Sequence, residues 1–73
     1  MLPQEERAIE LLTAHGWYRG YVILPAGGRL LDYLNTKPSH IPLLSVRDPS
    51  GRHHRLLAVN TAQVLAIRDP SRE

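Results

Sequence analysis

The chain contains no cysteine among its 73 residues, which excludes disulfide bonds and thiolate metal sites. A single domain of this length buries only about 60% of the surface of its unfolded chain, so its stability is marginal. Small domains usually compensate with disulfides, a metal or oligomerisation. We therefore expect one domain over residues 1–73 that forms a homo-oligomer.

Long hydrophobic runs are also missing. No stretch approaches the roughly 18 consecutive apolar residues of a membrane-spanning helix. The first ten residues, MLPQEERAIE, lack the basic region and apolar run that mark a secretory signal. These absences predict a cytoplasmic protein without a membrane partner.

Motifs that carry catalysis are absent as well. No serine or threonine lies in a nucleophile elbow, and neither a glycine-rich phosphate loop nor a paired acidic motif occurs. His53 and His54 are adjacent, and neighbouring residues of a strand point to opposite faces, so they would not share a metal ion. We expect a protein that is not an enzyme and that uses no metal and no cofactor.

The basic side chains are almost all arginine, with Lys37 as the single lysine among nine. Residues 37–73 carry six of the nine basic residues but three of the seven acidic ones. Arginine favours planar, two-pronged contacts with phosphate or carboxylate groups. The pattern indicates either an ordinary solvated surface or a weak patch for polyanions, and the sequence leaves both interpretations open.

The clearest element is a strand over residues 17–24, WYRGYVIL, which is rich in aromatic and β-branched residues. Alternate side chains of a strand face opposite sides, and the more apolar set predicts the core face. That set is Tyr18, Gly20, Val22 and Leu24. The opposite face exposes Trp17, Arg19 and Tyr21, and Gly20 predicts a bulge or a bend.

The N-terminal segment predicts a short helix over residues 3–15. Pro3 suits the first helical position, and Glu5 in the first turn complements the helix dipole. Ile9 and Leu12 lie on one stripe at helical spacing, and Gly16 suits the position just after a helix end.

Further along, residues 29–35 are compatible with either a helix or a short strand. Residues 41–47 and 52–59 predict a hairpin around the turn sequence DPSG. The later elements are a one-turn helix, a short strand and a polar tail, over residues 60–63, 64–68 and 69–73. The predicted fold is mainly β, a small bent antiparallel barrel over residues 17–68 with an N-terminal α-helix.

This order, with GWYRGYVILPAGGRLLDYLN near the start and LLAVNTAQVLAI near the end, resembles the Sm-like small-barrel fold, which is related in shape to SH3-like barrels. The resemblance implies five bent strands after a short helix, with one 3₁₀ turn between the last two strands. The segment RLLDYLN also resembles a group of uncharacterised bacterial small-domain proteins.

Sm-like RNA binders carry an Asp-x-x-Met-Asn pattern whose side chains contact a base. This chain has Asp32-Tyr33-Leu34-Asn35, which is one residue shorter, and Val59-Asn60 stands where the family has a basic-glycine dipeptide. The resemblance therefore points to Asp32, Tyr33 and Asn35 as positions for binding but departs from the RNA-binding pattern.

The function predicted from these patterns is a non-enzymatic binding or assembly module that self-associates. A neighbouring copy would pair with the last strand, residues 64–67, by strand addition. The alternative is weak binding of RNA or single-stranded DNA through arginines and aromatic side chains, with another protein as a further possible partner. The candidate binding residues are Trp17, Arg19, Tyr21, Asp32, Tyr33, Asn35, Arg52 and Arg55.

Overall fold

A five-stranded antiparallel sheet dominates the computed structural model, which describes residues 3–70. The elements in chain order are β1 (Gln4–Thr13), β2 (Gly16–Pro25), α1 (Leu30–Leu34), β3 (His40–Arg47), β4 (His53–Asn60), a 3₁₀ turn (Thr61–Gln63) and β5 (Ala66–Arg68). The strands lie in the order β4-β3-β2-β1-β5. The predicted mainly β class is thus confirmed. Residues 71–73 of the predicted polar tail lie outside the part of the chain that the structure describes.

The predicted N-terminal helix over residues 3–15 is wrong, because this segment forms β1 and pairs with β2 along its whole length. Ile9, Leu11 and Thr13 are buried and lie two residues apart on one face of the strand, which is the period of a strand. Pairing with a long apolar neighbour outweighs the weak helical preference of an isolated short segment. Gly16 ends the β1–β2 turn with φ of 122°, a backbone conformation that favours glycine.

The predicted strand over residues 17–24 is confirmed as β2, with the predicted face turned inward. Gly20 lies beside a bulge in β3, where the register shifts and Ser45 adopts φ of 51°. A Cβ atom on Gly20 would lie 3.1 Å from the carbonyl oxygen of Leu44 and 3.2 Å from a methyl group of Val46. The absence of a side chain at this position lets the bent β3 approach β2 closely.

The hydrophobic core lies on one face of the sheet. Its buried members are Ile9, Leu11, Val22, Leu24, Ile41, Leu43, Val46 and Val59. The segment with two open alternatives, residues 29–35, contains the one-turn helix α1. Leu30, Tyr33 and Leu34 pack against the core, so α1 covers the inner side of the sheet.

The β3–β4 hairpin is confirmed, and Asp48 organises its turn. One carboxylate oxygen accepts hydrogen bonds from the backbone of Ser50 and Arg52 and from the Ser50 hydroxyl. The other oxygen lies 2.9 Å from Nε2 of His54. The hydrogen bond from the Ser50 hydroxyl, followed by that from His54, holds the pKa of Asp48 well below its ordinary value.

The two ends of the sheet do not meet. Within residues 3–70, β4 pairs only with β3 and β5 pairs only with β1, so the sheet is open. The predicted one-turn helix over residues 60–63 is present, and the side chain of Asn60 accepts a hydrogen bond from the backbone of Ala62. The last strand is shorter than predicted and begins at Ala66.

Candidate functional site

A row of four charged side chains and one histidine crosses all five strands on the outer face of the sheet. The strand register places Arg68 and Arg19 on either side of Glu10, Arg47 beside Arg19, and His53 beside Arg47. Directly paired residues of neighbouring strands carry their side chains on the same face. These five residues are called the charged row below.

Glu10 is the centre of this row. It lies between two core residues of β1, so its side chain points to the outer face, yet it is only 3% exposed. The Nε atoms of Arg19 and Arg68 each donate a hydrogen bond of 2.6 Å, one to each carboxylate oxygen. The hydrogen bond from Arg68, and then the one from Arg19, holds the pKa of Glu10 below its ordinary value despite burial.

Arg68 is held from a second side by Trp17. Its guanidinium carbon lies 4.3 Å from the centre of the indole ring, which is the geometry of a cation–π contact. Strand β5 is thus fixed to the sheet by Arg68 side-chain contacts with β1 and β2 as well as by the backbone ladder with β1. Trp17 therefore helps to position Arg68, a member of the charged row.

The charged row lies along an open groove with a volume of about 570 Å³. Its lining residues are Ala8, Glu10, Arg19, Gly20, Tyr21, Ser45, Arg47, His53, Arg68 and Pro70. This volume falls in the ordinary range for small-molecule sites. Among residues 3–70, three arginines and one glutamate line it, so this part of the lining is positive, and it is called the basic groove below.

A second, smaller groove of about 300 Å³ lies on the other side of β5. It is lined by Leu34, Pro38, Ile41, Thr61, Val64, Leu65, Ala66 and Ile67, and it is called the β5 groove below. Seven of these eight residues are apolar, and Leu65 is 71% exposed. The groove adjoins the strand at one open end of the sheet.

The candidate binding residues separate into groups in the structure. Arg19 and Tyr21 line the basic groove, and Trp17 lies beside it through its contact with Arg68. Asp32 and Tyr33 belong to α1 on the inner side of the sheet, and Asn35 ends that helix. The positions implied by the Sm-like resemblance therefore do not share a surface with those of β2.

Arg52 and Arg55 are exposed, but neither lines the basic groove. The other four members of the row were not among the residues predicted from the sequence; they are Glu10, Arg47, His53 and Arg68. The alternation of Ile9, Glu10 and Leu11 was the available signal, because it marks a strand with an outward carboxylate. Treating this segment as a helix concealed that signal.

Comparison of the chain with protein families, with curated proteins and with solved structures gave no match in any of the three. Among residues 3–70, no helix is long and apolar enough to cross a membrane. In the same described range, no three histidine, aspartate or glutamate side chains converge as a metal site would require.

Proposed function

We propose that the chain is a non-enzymatic binding and assembly module that self-associates by strand addition. The observation that carries this proposal is the open sheet, in which β4 and β5 each have a single neighbouring strand among the described residues. Unpaired strand edges present rows of backbone donors and acceptors that another chain can satisfy. In this arrangement β5 of one copy pairs with β4 of the next.

The side chains at the two edges support this pairing. Leu56 on β4 is 63% exposed, and Leu65, the residue just before β5, is 71% exposed. The β5 groove adds a largely apolar surface beside the edge. Burial of apolar surface would supply the free energy that backbone hydrogen bonds alone do not provide.

The same proposal assigns the sheet to a specific fold, a small Sm-like or SH3-like barrel that stays open between β4 and β5. The strand order, the bulge opposite Gly20 and the 3₁₀ turn between β4 and β5 support it. A contact between two different edges is heterologous, so repeated copies form a ring if the rotation closes and a filament if it does not.

Native mass spectrometry combined with light scattering tests this function. We expect a discrete multimer for the unmodified chain and dissociation for Leu56→Glu and Leu65→Glu, each of which places a charge at an edge. Leu31→Glu is the matched control, because Leu31 is 62% exposed but lies on α1 rather than on an edge strand. A monomer at concentrations near 1 mM, or equal dissociation by all three variants, would contradict strand addition.

A second candidate function is weak binding of RNA or single-stranded DNA. The outer face of β2, where Trp17, Arg19 and Tyr21 alternate with core residues beside the basic groove, supports it. Fluorescence anisotropy of a labelled single-stranded oligonucleotide should then show affinity that falls steeply as salt rises. If the oligonucleotide does not bind even at low salt, nucleic-acid binding is rejected as a function.

A further inference from the structure

We infer that the basic groove is a discrete site for a phosphate group, held between Arg19 and Arg47, with the ring of Tyr21 available to an attached base. The inference goes beyond self-association and does not depend on it. The site is separate from Asp32, Tyr33 and Asn35, which belong to α1 or end it on the inner side of the sheet.

The first support is an unfavourable charge pairing. Arg19 and Arg47 are directly opposed on neighbouring strands, and like charges in this position destabilise a sheet. The Arg47 side chain donates a hydrogen bond of 3.3 Å to the carbonyl oxygen of Gly51, a neutral group that does not neutralise its charge. His53 follows Arg47 in the row and adds a further donor on the same side. An anion between these side chains would turn repulsion into attraction.

The second support is the way in which Arg19 is held. Glu10 binds its Nε at 2.6 Å, while the Arg19 side chain stays 71% exposed. A guanidinium has five N–H donors in a planar fork, so the bond at Nε leaves the two terminal nitrogens for a ligand. Because the buried carboxylate already orders this long side chain, less conformational entropy is lost when a ligand binds.

The third support is the size and lining of the groove. A volume of about 570 Å³ exceeds what a single inorganic ion occupies and suits a small organic phosphate. Tyr21 is 41% exposed and lines the groove, so its ring is accessible to a planar base. Ser45 also lines the groove, and its hydroxyl could donate a hydrogen bond to a phosphate oxygen. The ligand class that suits this lining is a small organic phosphate that also carries a planar aromatic base, such as a nucleoside monophosphate.

Isothermal titration calorimetry with adenosine 5′-monophosphate tests the site, with inorganic phosphate and a short single-stranded oligonucleotide as further ligands. Arg47→Gln should weaken the monophosphate at least about tenfold, since it removes charge-assisted hydrogen bonds. Arg29→Gln alters an exposed arginine at the start of α1, outside the groove; it removes the same charge and should change affinity less than about twofold. Equal losses for both variants would show diffuse charge attraction and overturn the site.

The three ligands distinguish the possible sources of the phosphate. Similar affinity for monophosphate and oligonucleotide, with one monophosphate per chain, would indicate a free nucleotide site. A much tighter oligonucleotide that also depends on Arg47 would indicate a polynucleotide backbone. Tyr21→Leu should weaken the monophosphate but leave inorganic phosphate unchanged, and no binding of any ligand at millimolar concentration would overturn the inference.

Two controls keep this test independent of folding and assembly. If Arg47→Gln fails to fold, Arg47→Lys retains the charge but loses the planar fork, and it should still weaken monophosphate binding. Unchanged affinity in folded Arg47→Lys and Arg47→Gln proteins would contradict the site. Native mass spectra of the same samples report the oligomeric state, so a monomer that binds phosphate would reject self-association and leave the site intact.

Discussion

The basic groove and the β5 groove differ in how their side chains are held. In the basic groove Glu10 fixes Arg19 and Arg68, and Trp17 supports Arg68 from the side. In the β5 groove apolar side chains such as Leu65 stand exposed beside an open strand edge. An ordered polar surface suits a small charged ligand, whereas an uncovered apolar edge suits another polypeptide.

This difference also separates stability from function. The contacts of Glu10 join β5, β1 and β2, so the basic groove contributes to folding as well as to binding. The exposed leucines at the sheet edges contribute little to the folded monomer, because they contact solvent. Substitutions in the two regions should therefore have different effects on unfolding and on association.

The largest effect on unfolding is expected for Glu10→Gln. The neutral amide places an N–H₂ group against one of the two guanidinium groups, while its oxygen still accepts from the other. Loss of that one charge-assisted hydrogen bond should cost about 2 kcal/mol in the free energy of unfolding. Chemical denaturation measures this change. Glu6→Gln is the matched control, because Glu6 is exposed on the same strand, and its effect should stay within about 0.5 kcal/mol. Equal effects would mean that Glu10 does not hold the row.

Acid should destabilise the protein through the same carboxylate. The folded pKa of Glu10 lies below its ordinary value of 4.5 and that of Asp48 below 3.8, so both groups stabilise the fold at neutral pH. This contribution is present above the ordinary values and is lost as the pH falls through the lowered ones.

Thermal unfolding between pH 7 and pH 3 checks this dependence. The melting temperature of the unmodified chain should decrease once the pH drops below about 4.5. The decrease should be smaller for Glu10→Gln, because this variant already lacks one of the two carboxylates. Parallel curves for the two proteins would contradict the lowered pKa of Glu10. The variant Glu6→Gln again serves as the control and should follow the unmodified chain.

A smaller effect is expected for Trp17→Leu. This substitution keeps an apolar side chain but removes the cation–π contact with Arg68, which is worth about 0.5–1 kcal/mol at an exposed site. Chemical denaturation measures the loss. A double-mutant cycle with Arg68→Met isolates the contact from the rest of the substitution, and a coupling energy of zero would show that Trp17 and Arg68 do not support one another.

An element could be predicted from the sequence when the residues that define its pattern lie close together in the chain. The faces of β2 and the turn at Asp48 were predictable, because alternation and turn residues lie within a few positions. Strand β1 was not, because Ile9 and Leu12 have helical spacing and only pairing with β2 decides between the two structures. The charged row was hidden for a related reason, since Glu10 and Arg68 are 58 positions apart and meet only through the strand order.

The smallest effect on unfolding, and a large one on association, is expected at the sheet edges. Leu65→Glu should change the free energy of unfolding of the monomer by less than about 0.5 kcal/mol, because Leu65 is 71% exposed. The double variant Leu56→Lys with Leu65→Glu tests whether these two edges meet in the multimer. If β4 of one copy meets β5 of the next, the new opposite charges attract and the double variant should recover multimers that Leu65→Glu alone does not form.

Light scattering at low and high salt measures this recovery. Recovered multimers should dissociate as salt rises, because screening weakens the exposed pair, whereas multimers of the unmodified chain should persist because apolar contacts hold them. Leu31→Lys combined with Leu65→Glu is the matched control, since it adds the same positive charge on α1 instead of β4. Equal recovery in both double variants would mean that general charge neutralisation, rather than a β4–β5 contact, brings the copies together.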